Sequence, residues 1–190
     1  MRLSGSLLYE GDRDIGSVGF FHDLTHQKTV EAVLTREKAI MEELVNGSPI
    51  PTFVLDRDQR VVFWNRACVE LTGVSGQEIT GTRDIWKPFY PVERPVLANL
   101  ILSQNLTLLS RLYGEKKLRA YPLLPGAFEA EDFFESLGGK DRFLHFMSAP
   151  IYDQEGELWG AIESIQDLSE HKALEAKLSE LATMDGLTGV

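Results

Sequence analysis

Residues 47–81 read "GSPIPTFVLDRDQRVVFWNRACVELTGVSGQEITG". Two runs within this stretch, "TFVLD" and "RVVFWN", are rich in β-branched and aromatic residues and flank the polar turn at residues 57–59. This pattern predicts a β-hairpin. Pro49 and Pro51 precede it and end a preceding helix, because neither can continue helical backbone.

Two short helices are predicted directly after this hairpin. Asn65 stands where the first helix needs an N-cap, and Gly73 stands where that helix should stop. Ser75 and Glu78 have the spacing of a capping box for the second helix, which we expect to end at Gly81. The stretch therefore predicts the order strand, strand, helix, helix.

The chain after residue 81 is less regular. "WKPFYPVERPVLANLILSQN" is predicted to open as a proline-punctuated loop and to continue as a helix from about Pro95. We interpret "YPLLPGAFEAEDFFESLGGK" as a loop with a short acidic helix. The strands "RFLHFMSAPIYD" and "ELWGAIESIQD" should follow, joined by a turn at residues 154–156.

One passage occurs twice. Residues 16–34, "GSVGFFHDLTHQKTVEAVL", align without a gap with residues 160–178, "GAIESIQDLSEHKALEAKL", at a constant offset of 144 residues. Asp23 aligns with Asp167 and Leu24 with Leu168. In each copy a strand is predicted to lead directly into a polar helix.

The two predicted helices also share a pattern of apolar positions. These positions are Val30, Leu34, Met41 and Leu44 in the first helix and Leu174, Leu178 and Leu181 in the second. Their spacing is that of a coiled-coil seam, which favours pairing with a second copy of the chain in a homodimer. The alternative is an amphipathic helix that lies on its own domain.

Composition limits the classes of partner. The chain is 43% apolar and 25% charged, which is typical of a globular protein. Its length of 190 residues allows one domain and a fraction of another. A net charge of −10 disfavours nucleic acid and anionic membrane surfaces as partners.

The lone Cys68 cannot form an internal disulfide, which suits the cytoplasm. No apolar run approaches the roughly 20 residues that cross a bilayer, and no signal peptide is predicted.

Taken in order, these features resemble a PAS domain, the sensor module of bacterial signalling proteins. The resemblance rests on residues 47–81, the strand "APIYDQEGELWGAIESIQD", the helix after it, and Asp167-Leu168-Ser169, which is similar to the family's Asp-x-Thr signature. It implies an α+β PAS fold with an antiparallel sheet of about five strands, short helices on one face, and linker helices at both ends. Residues 86–140 depart most from the family pattern.

The resemblance and the repeat together predict a domain order. Residues 1–24 resemble the C-terminal strands of an upstream PAS domain, residues 25–46 form a linker helix, residues 47–168 form the complete PAS domain, and residues 169–184 form a signalling helix. The last residues, 185–190, resemble the opening motif of GGDEF-type diguanylate cyclase domains through Asp185, Leu187, Thr188 and Gly189. The alternatives are an extra hairpin of the complete domain at residues 3–24, and an ordinary helix end at residue 185.

No catalytic or cofactor arrangement is evident, so we predict that this segment is not an enzyme. The histidines lack the spacing of metal ligands, and no Gly-rich phosphate loop follows a strand. Cys68 lies outside the Asn-Cys-Arg context of flavin photosensors, and we interpret it as a buried apolar residue. Haem bound through His145, or another redox role, stays an alternative.

The remaining hypothesis is a pocket for a small organic molecule. Its candidate residues are Trp86, Phe89, Tyr90, Arg94, Tyr113 and His145. Aromatic walls with one fixed guanidinium suit a carboxylate ligand. The competing interpretation is that the aromatic residues build the core and that Arg94 pairs with a neighbour such as Asp84.

The sequence therefore predicts a PAS sensory and dimerisation module that relays a signal through its exit helix to a diguanylate cyclase domain. We expect Asp167 and Ser169 to fix the joint, the aspartate by accepting hydrogen bonds and the serine by capping the helix. A ligand-free structural dimerisation module is the main alternative.

Overall fold

The computed structural model describes residues 2–22 and 25–185. They divide into two compact units, Met1–Leu44 and Val45–Val190. The first unit holds strands β1 (Arg2–Glu10) and β2 (Arg13–His22), which pair antiparallel in a sheet of their own, and most of helix α1 (Thr25–Asn46). Residues 23 and 24, where the first copy of the repeat carries its aspartate and leucine, lie outside the described residues.

The second unit is built on one antiparallel sheet of six strands in the order β4-β3-β8-β7-β6-β5. The strands are β3 (Thr52–Asp56), β4 (Val61–Trp64), β5 (Arg119–Ala120), β6 (Phe128–Leu137), β7 (Lys140–Tyr152) and β8 (Leu158–Asp167). The helices are α2 (Arg66–Thr72), α3 (Gly76–Ile79), α4 (Leu97–Ser103), α5 (Leu106–Tyr113) and α6 (Ser169–Asp185). The predicted α+β architecture is confirmed, and the two-residue β5 adds the sixth strand.

The core lies on one face of this sheet. Phe53 on β3, Phe146 on β7 and Ile165 on β8 are buried there against Leu97 and Leu100 of α4. Because β3 and β8 are neighbours, the first and last strands of the unit meet in the middle of the sheet. The strand that leads to α6 is therefore a central one, in contact with the core along its length.

The predicted helix signals after the first hairpin are confirmed. Gly73 ends α2 in the left-handed conformation with φ 77°, and Ser75 forms the capping box of α3 with Glu78. Asn65 caps α2 by accepting from the backbone N–H of Cys68 at 3.0 Å.

Asn65 does more than cap a helix. Its Oδ1 also accepts from Thr52 N–H at 3.0 Å, and its Nδ2 donates to the carbonyls of Ile50, at 2.8 Å, and Val45, at 3.2 Å. The side chain is completely buried, and its bonds from the N–H groups of Thr52 and Cys68 are buried with it. One amide thus joins the start of β3, the start of α2 and the chain that enters the unit.

The acidic helix predicted within residues 121–140 is wrong, because this region forms strand β6. Ala130 and Phe134 face the core, while Glu129 and Glu131 lie on the opposite face and pair with Arg119 and Lys117. The acidic residues therefore follow the two-residue period of a strand. Gly138 and Gly139 form the turn between β6 and β7. A Gly-Gly pair between two strands is typical of a β-hairpin.

The helix predicted from about Pro95 starts at Leu97 and is short. Gln104, with φ 50°, ends α4, and Asn105 caps α5 by accepting from Leu108 N–H at 2.9 Å. Two short helices therefore stand where one was expected.

Replacing Asn65 should be much more costly than replacing an exposed N-cap. Asn65→Ala removes four hydrogen bonds and leaves the buried N–H of Thr52 without this acceptor, so we expect a loss of about 2–4 kcal/mol in the free energy of unfolding. The matched control is Asn105→Ala, which removes one exposed cap and should cost about 1 kcal/mol. Urea unfolding of both variants gives the comparison, and equal losses would contradict the role of Asn65.

Candidate functional site

The segment between α3 and α4 positions most of the predicted site residues. It contains turns but no helix or strand, and Pro88, Pro91 and Pro95 remove three of its backbone donors. Its first residues are held to β4 by backbone bonds, since Val61 N–H donates to Thr82 O at 2.9 Å. Beyond residue 82, side chains rather than a hydrogen-bonded ladder hold the segment against the sheet, so its position depends on what they pack against.

The predicted aromatic residues are largely brought together. The ring of Phe89 lies 6.3 Å from the rings of both Phe53 and Trp64, and that of Tyr90 lies 5.6 Å from Phe134. Tyr113, from α5, packs edge-on against Phe146 at 5.7 Å. Trp86 is separate from this cluster and lines a surface cleft beside Arg94. The aromatic residues therefore do contribute to the core, as the competing interpretation held.

Arg94 is the unusual member of the group. Its guanidinium carbon lies 4.1 Å from the centre of the Tyr90 ring and 5.3 Å from that of Tyr113. Its Nε and Nη2 are buried and have no hydrogen-bond partner. The expected pair with Asp84 is not formed, because Asp84 bonds Lys87 at 2.5 Å instead.

Arg94 stands between two clefts. The arginine cleft, about 660 Å³, is lined by Arg57, Arg83 and Arg94. The aromatic cleft, about 690 Å³, is lined by Phe89, Tyr90 and Phe134 together with Arg94. The same three aromatic residues also bound an interior cavity of about 10 Å³, which has room for no more than one water molecule.

Tyr90 and Tyr113 form a pair of buried hydroxyl groups. Their oxygens lie 3.3 Å apart. Burial raises the pKa of Tyr90 to about 12, and burial likewise raises the pKa of Tyr113 well above its ordinary value. Both phenols therefore keep their protons near neutral pH, so each can donate a hydrogen bond.

Glu163 is a site residue that the sequence analysis missed. It lies on the core face of β8, only 5% exposed, and bounds the interior cavity. Its Oε2 accepts from the backbone N–H of Ala98, in the first turn of α4, at 2.7 Å. Burial raises the pKa of Glu163 to about 8, against the opposing effect of that hydrogen bond. The carboxyl group is therefore largely protonated at neutral pH.

The signal for Glu163 was present in the sequence. Ala161, Glu163 and Ile165 alternate along one face of β8, and the first and last of them are apolar. Strand periodicity alone therefore placed a carboxyl group on a buried face. In the first copy of the repeat the aligned residue is Gly19, so this carboxyl group is specific to the second copy.

His145 does not join the other candidates. It alternates on β7 with the core residues Leu144 and Phe146, which places its side chain on the opposite face of the sheet. There its Nε2 lies 3.0 Å from Glu129. The assignment of His145 to the pocket is therefore not supported by its position, and neither is haem ligation from inside the core.

Cys68 is completely buried, as expected from its sequence context. Burial raises the pKa of its thiol to about 12, so the reactive thiolate is not formed near neutral pH. Among residues 2–22 and 25–185, no group of three or more potential metal ligands is found. In the same described ranges, no helix is long and apolar enough to cross a membrane.

Asp167 and Ser169 sit at the joint between β8 and α6. Asp167 accepts from Ser169 N–H at 2.9 Å and from Arg142 on β7. Burial raises the pKa of Asp167, but the bonds from Ser169 and Arg142 outweigh it and leave the pKa below its ordinary value. Asp167 is therefore ionised near neutral pH, as an acceptor at this joint requires.

The serine acts differently from the expected helix cap. Ser169 Oγ donates to Asp167 and accepts from the backbone N–H of Phe143 at 2.9 Å, while Leu168 N–H donates to Phe143 O at 2.8 Å. Lys172, one turn into α6, lies 5.1 Å from the Phe143 ring. The first turn of α6 is thus attached to the neighbouring strand β7.

The predicted seam residues are solvent-exposed. Their exposed fractions range from 45% for Val30 to 67% for Leu44 on α1, and from 57% to 58% on α6. Within each helix the apolar positions are therefore not covered by the rest of the same unit.

The chain is similar to known signalling proteins. A family model described as "PAS fold" matches residues 39–83. The virulence sensor protein BvgS of Bordetella pertussis is 27% identical over 159 residues, which is 83% of this chain but 12% of BvgS. Halobacterial transducer protein 9 of Halobacterium salinarum is 28% identical over 139 residues, covering 73% of this chain and 28% of the transducer. The chain thus spans only a small part of each of these relatives.

A sensor-like histidine kinase, ycf26 of Pyropia yezoensis, is 33% identical over 87 residues, covering 42% of this chain and 13% of the kinase. Among solved structures, the PAS domain of B. pertussis BvgS aligns with 77% of this chain and 98% of its own, at 22% identity and a TM-score of 0.47. The matching family model covers the first hairpin and its two helices, and the six-stranded antiparallel sheet continues from them. Residues 39–83 are therefore similar to the PAS fold, and relatives that the chain resembles are named as a sensor protein and a transducer protein.

Proposed function

We propose that this PAS domain is a sensory relay that passes a change in its core through β8 and α6 to an output domain in the same chain. The observation that carries the proposal is the joint at the end of β8. Asp167, Ser169, Arg142 and Phe143 form a closed set of hydrogen bonds that attaches the first turn of α6 to the sheet. A shift of β8 relative to β7 changes this set, and with it the direction of α6.

The core side of the relay is Glu163. It lies on β8 four residues before Asp167 and is bonded to Ala98 at the start of α4. Helix α4 directly follows the irregular segment that carries Arg94. Displacement of that segment therefore reaches β8 through this buried hydrogen bond and through the packing of Leu97 and Leu100 against the sheet.

The output domain we propose is a GGDEF-type diguanylate cyclase, which would place the PAS domain in the cytoplasm with its substrate GTP. The support is the resemblance of residues 185–190 to the opening motif of such domains. Of these, Asp185 ends α6 and residues 186–190 lie outside the described residues. The name of one relative, the sensor-like histidine kinase ycf26, favours a histidine kinase as the second candidate. Formation of cyclic di-GMP from GTP by the longer protein, against autophosphorylation from ATP, separates the two.

We further propose that the working unit is a homodimer paired through α1 and α6. The seven exposed apolar residues recur at coiled-coil spacing on two separate helices, and a second copy of the chain presents the same residues in return. Each seam covers few heptads, so neither helix alone would hold a stable dimer. The alternative of a ligand-free dimerisation module shares this interface and differs only in lacking a bound signal.

Breaking the joint should uncouple the two domains. Asp167→Ala removes the acceptor for Arg142 and Ser169 and should change the output activity of the longer protein about fivefold or more, the low end of ordinary coupling energies. Circular dichroism should show that the variant stays folded. The control, Asp153→Ala, removes a turn acceptor at the far end of β8 and should leave activity within about twofold. An unchanged activity in Asp167→Ala would contradict the relay.

Charges placed in the α6 seam should weaken the dimer. Leu174→Glu with Leu178→Glu puts like charges at the pairing positions, so sedimentation velocity should show a dissociation constant raised about tenfold or more. Ala173→Glu with Ala176→Glu adds the same charge on the outer face of α6 and serves as the matched control. If both double variants remain as dimeric as the parent chain, this seam is not the interface.

The buried carboxyl group should give stability a distinct pH dependence. The pKa of Glu163 is raised from 4.5 in the unfolded chain to about 8 in the fold, so the folded state retains a proton that the unfolded chain loses. This contribution is complete below pH 4.5 and is lost as the pH rises to about 8, with a slope of up to roughly 1.4 kcal/mol per pH unit.

Urea unfolding of the parent chain and of Glu163→Gln between pH 5 and 9 measures this contribution. The variant should gain stability relative to the parent as the pH rises, because glutamine stays neutral. Glu155→Gln, an exposed control in the β7–β8 turn, should show no such trend. A pH-independent difference for Glu163→Gln would show that Glu163 is ionised in the fold throughout this range.

A further inference from the structure

The two unpartnered nitrogens of Arg94 are a matched pair. Nε and Nη2 share one edge of the guanidinium plane, and along that edge their N–H bonds point in nearly the same direction. Two parallel donors at this spacing fit the two oxygens of a carboxylate, which is the strongest common partner of arginine. The N–H groups on Nε and Nη2 therefore have the geometry that binds both oxygens of one carboxylate.

The protein does not supply that carboxylate. Among the residues that the structure describes, three acids near Arg94 are engaged elsewhere: Asp84 with Lys87, Asp132 with Lys116, and Glu163 with Ala98 N–H. Glu93 and Glu135 also line the clefts beside Arg94, but neither bonds its Nε or Nη2. Buried donors that carry charge are costly to leave unsatisfied. The face of the guanidinium is held over the Tyr90 ring, which fixes its plane but uses none of its N–H groups.

The surroundings of Arg94 indicate what else a ligand would contact. The centres of the Tyr90 and Tyr113 rings both lie within 6 Å of the guanidinium carbon. Their hydroxyls are bonded to each other at 3.3 Å, so one of them donates within the pair and the other has a proton to offer a ligand. The aromatic cleft adds apolar walls from Phe89 and Phe134. In the arginine cleft, by contrast, Arg57 and Arg83 already donate to the backbone carbonyls of Leu158 and Asp58.

We propose that Arg94, Tyr90 and Tyr113 bind the carboxylate of a small organic acid whose apolar part occupies the aromatic cleft. The proposal rests on the proposed sensory function and names the chemical class of its signal. Since Nε and Nη2 are shielded from solvent in this structure, entry of the acid requires residues 86–95 to move. That segment leads into α4, whose first turn is bonded to Glu163 on β8.

The test is a binding screen on the 190-residue chain by thermal shift, followed by calorimetry. The probes are acetate, butyrate, hexanoate, benzoate and phenylacetate, each paired with its neutral amide, with inorganic phosphate as a further arm. We expect at least one acid with an apolar body to raise the melting temperature while its amide does not. Binding of phosphate alone, equal binding of acid and amide, or no shift with any acid would overturn the proposal.

Variants of Arg94 separate a binding role from a structural one. Arg94→Lys keeps the charge but loses the fork, and we expect the dissociation constant for the acid to rise about 10- to 100-fold. Tyr113→Phe removes one hydroxyl and should raise the dissociation constant for the acid by a smaller factor. The exposed Arg111→Met is the matched control and should bind the acid as the parent chain does.

Arg94→Met tests, in the absence of any ligand, whether Arg94 contributes to the stability of the fold. If Arg94 is kept for binding, removing its unsatisfied donors should leave the melting temperature unchanged or raise it. A marked fall in the melting temperature of the ligand-free variant would show a structural role and overturn the proposal. Because these assays do not involve the output domain, they can succeed or fail independently of the Asp167→Ala test of the relay.

Discussion

The hydrogen bond from Ala98 N–H to Glu163 joins the two parts of the second unit that the proposed relay has to connect. Val96 precedes α4 and has no side-chain oxygen, so the helix has no cap acceptor of its own at that position. Glu163 supplies one from the middle of β8. Glu163 therefore links the start of α4, and the irregular segment before it, to the strand that leads to α6.

A carboxyl group in this place is poised between two states. When protonated it is a neutral group in an apolar surrounding, and when ionised it is a buried negative charge whose described partner is a backbone N–H. A change in the charge or position of nearby groups shifts that balance. Arg94, Tyr90 and Tyr113 are close enough to take part, since Arg94 and Glu163 both affect the pKa of each phenol. In the proposed relay, the core and the exit helix are thus connected by a titratable group as well as by packing.

The parts of the fold that the sequence predicted are those encoded by neighbouring residues. Asn65 and Gly73 bound α2 through contacts a few residues away, and Asp167 meets Ser169 two residues later. Strand β6 was missed because its partner lies across a hairpin and its acidic side chains find their cations on residues 116–119. The proximity of the aromatic residues to Arg94 was predictable because most of them lie within a few positions of it, whereas the outward His145 and the inward Glu163 follow from the two-residue alternation of β7 and β8.

The most direct measurement is the pH dependence of backbone amide resonances between pH 6 and 10, in the parent chain and in Glu163→Gln. If Glu163 connects the core to the joint, the amides of Ala98, Phe143 and Ser169 should titrate with one common midpoint near pH 8. All three titrations should be absent in the variant. An Ala98 amide that titrates while those of Phe143 and Ser169 do not would contradict the account, because the buried carboxyl group would then not reach the exit helix.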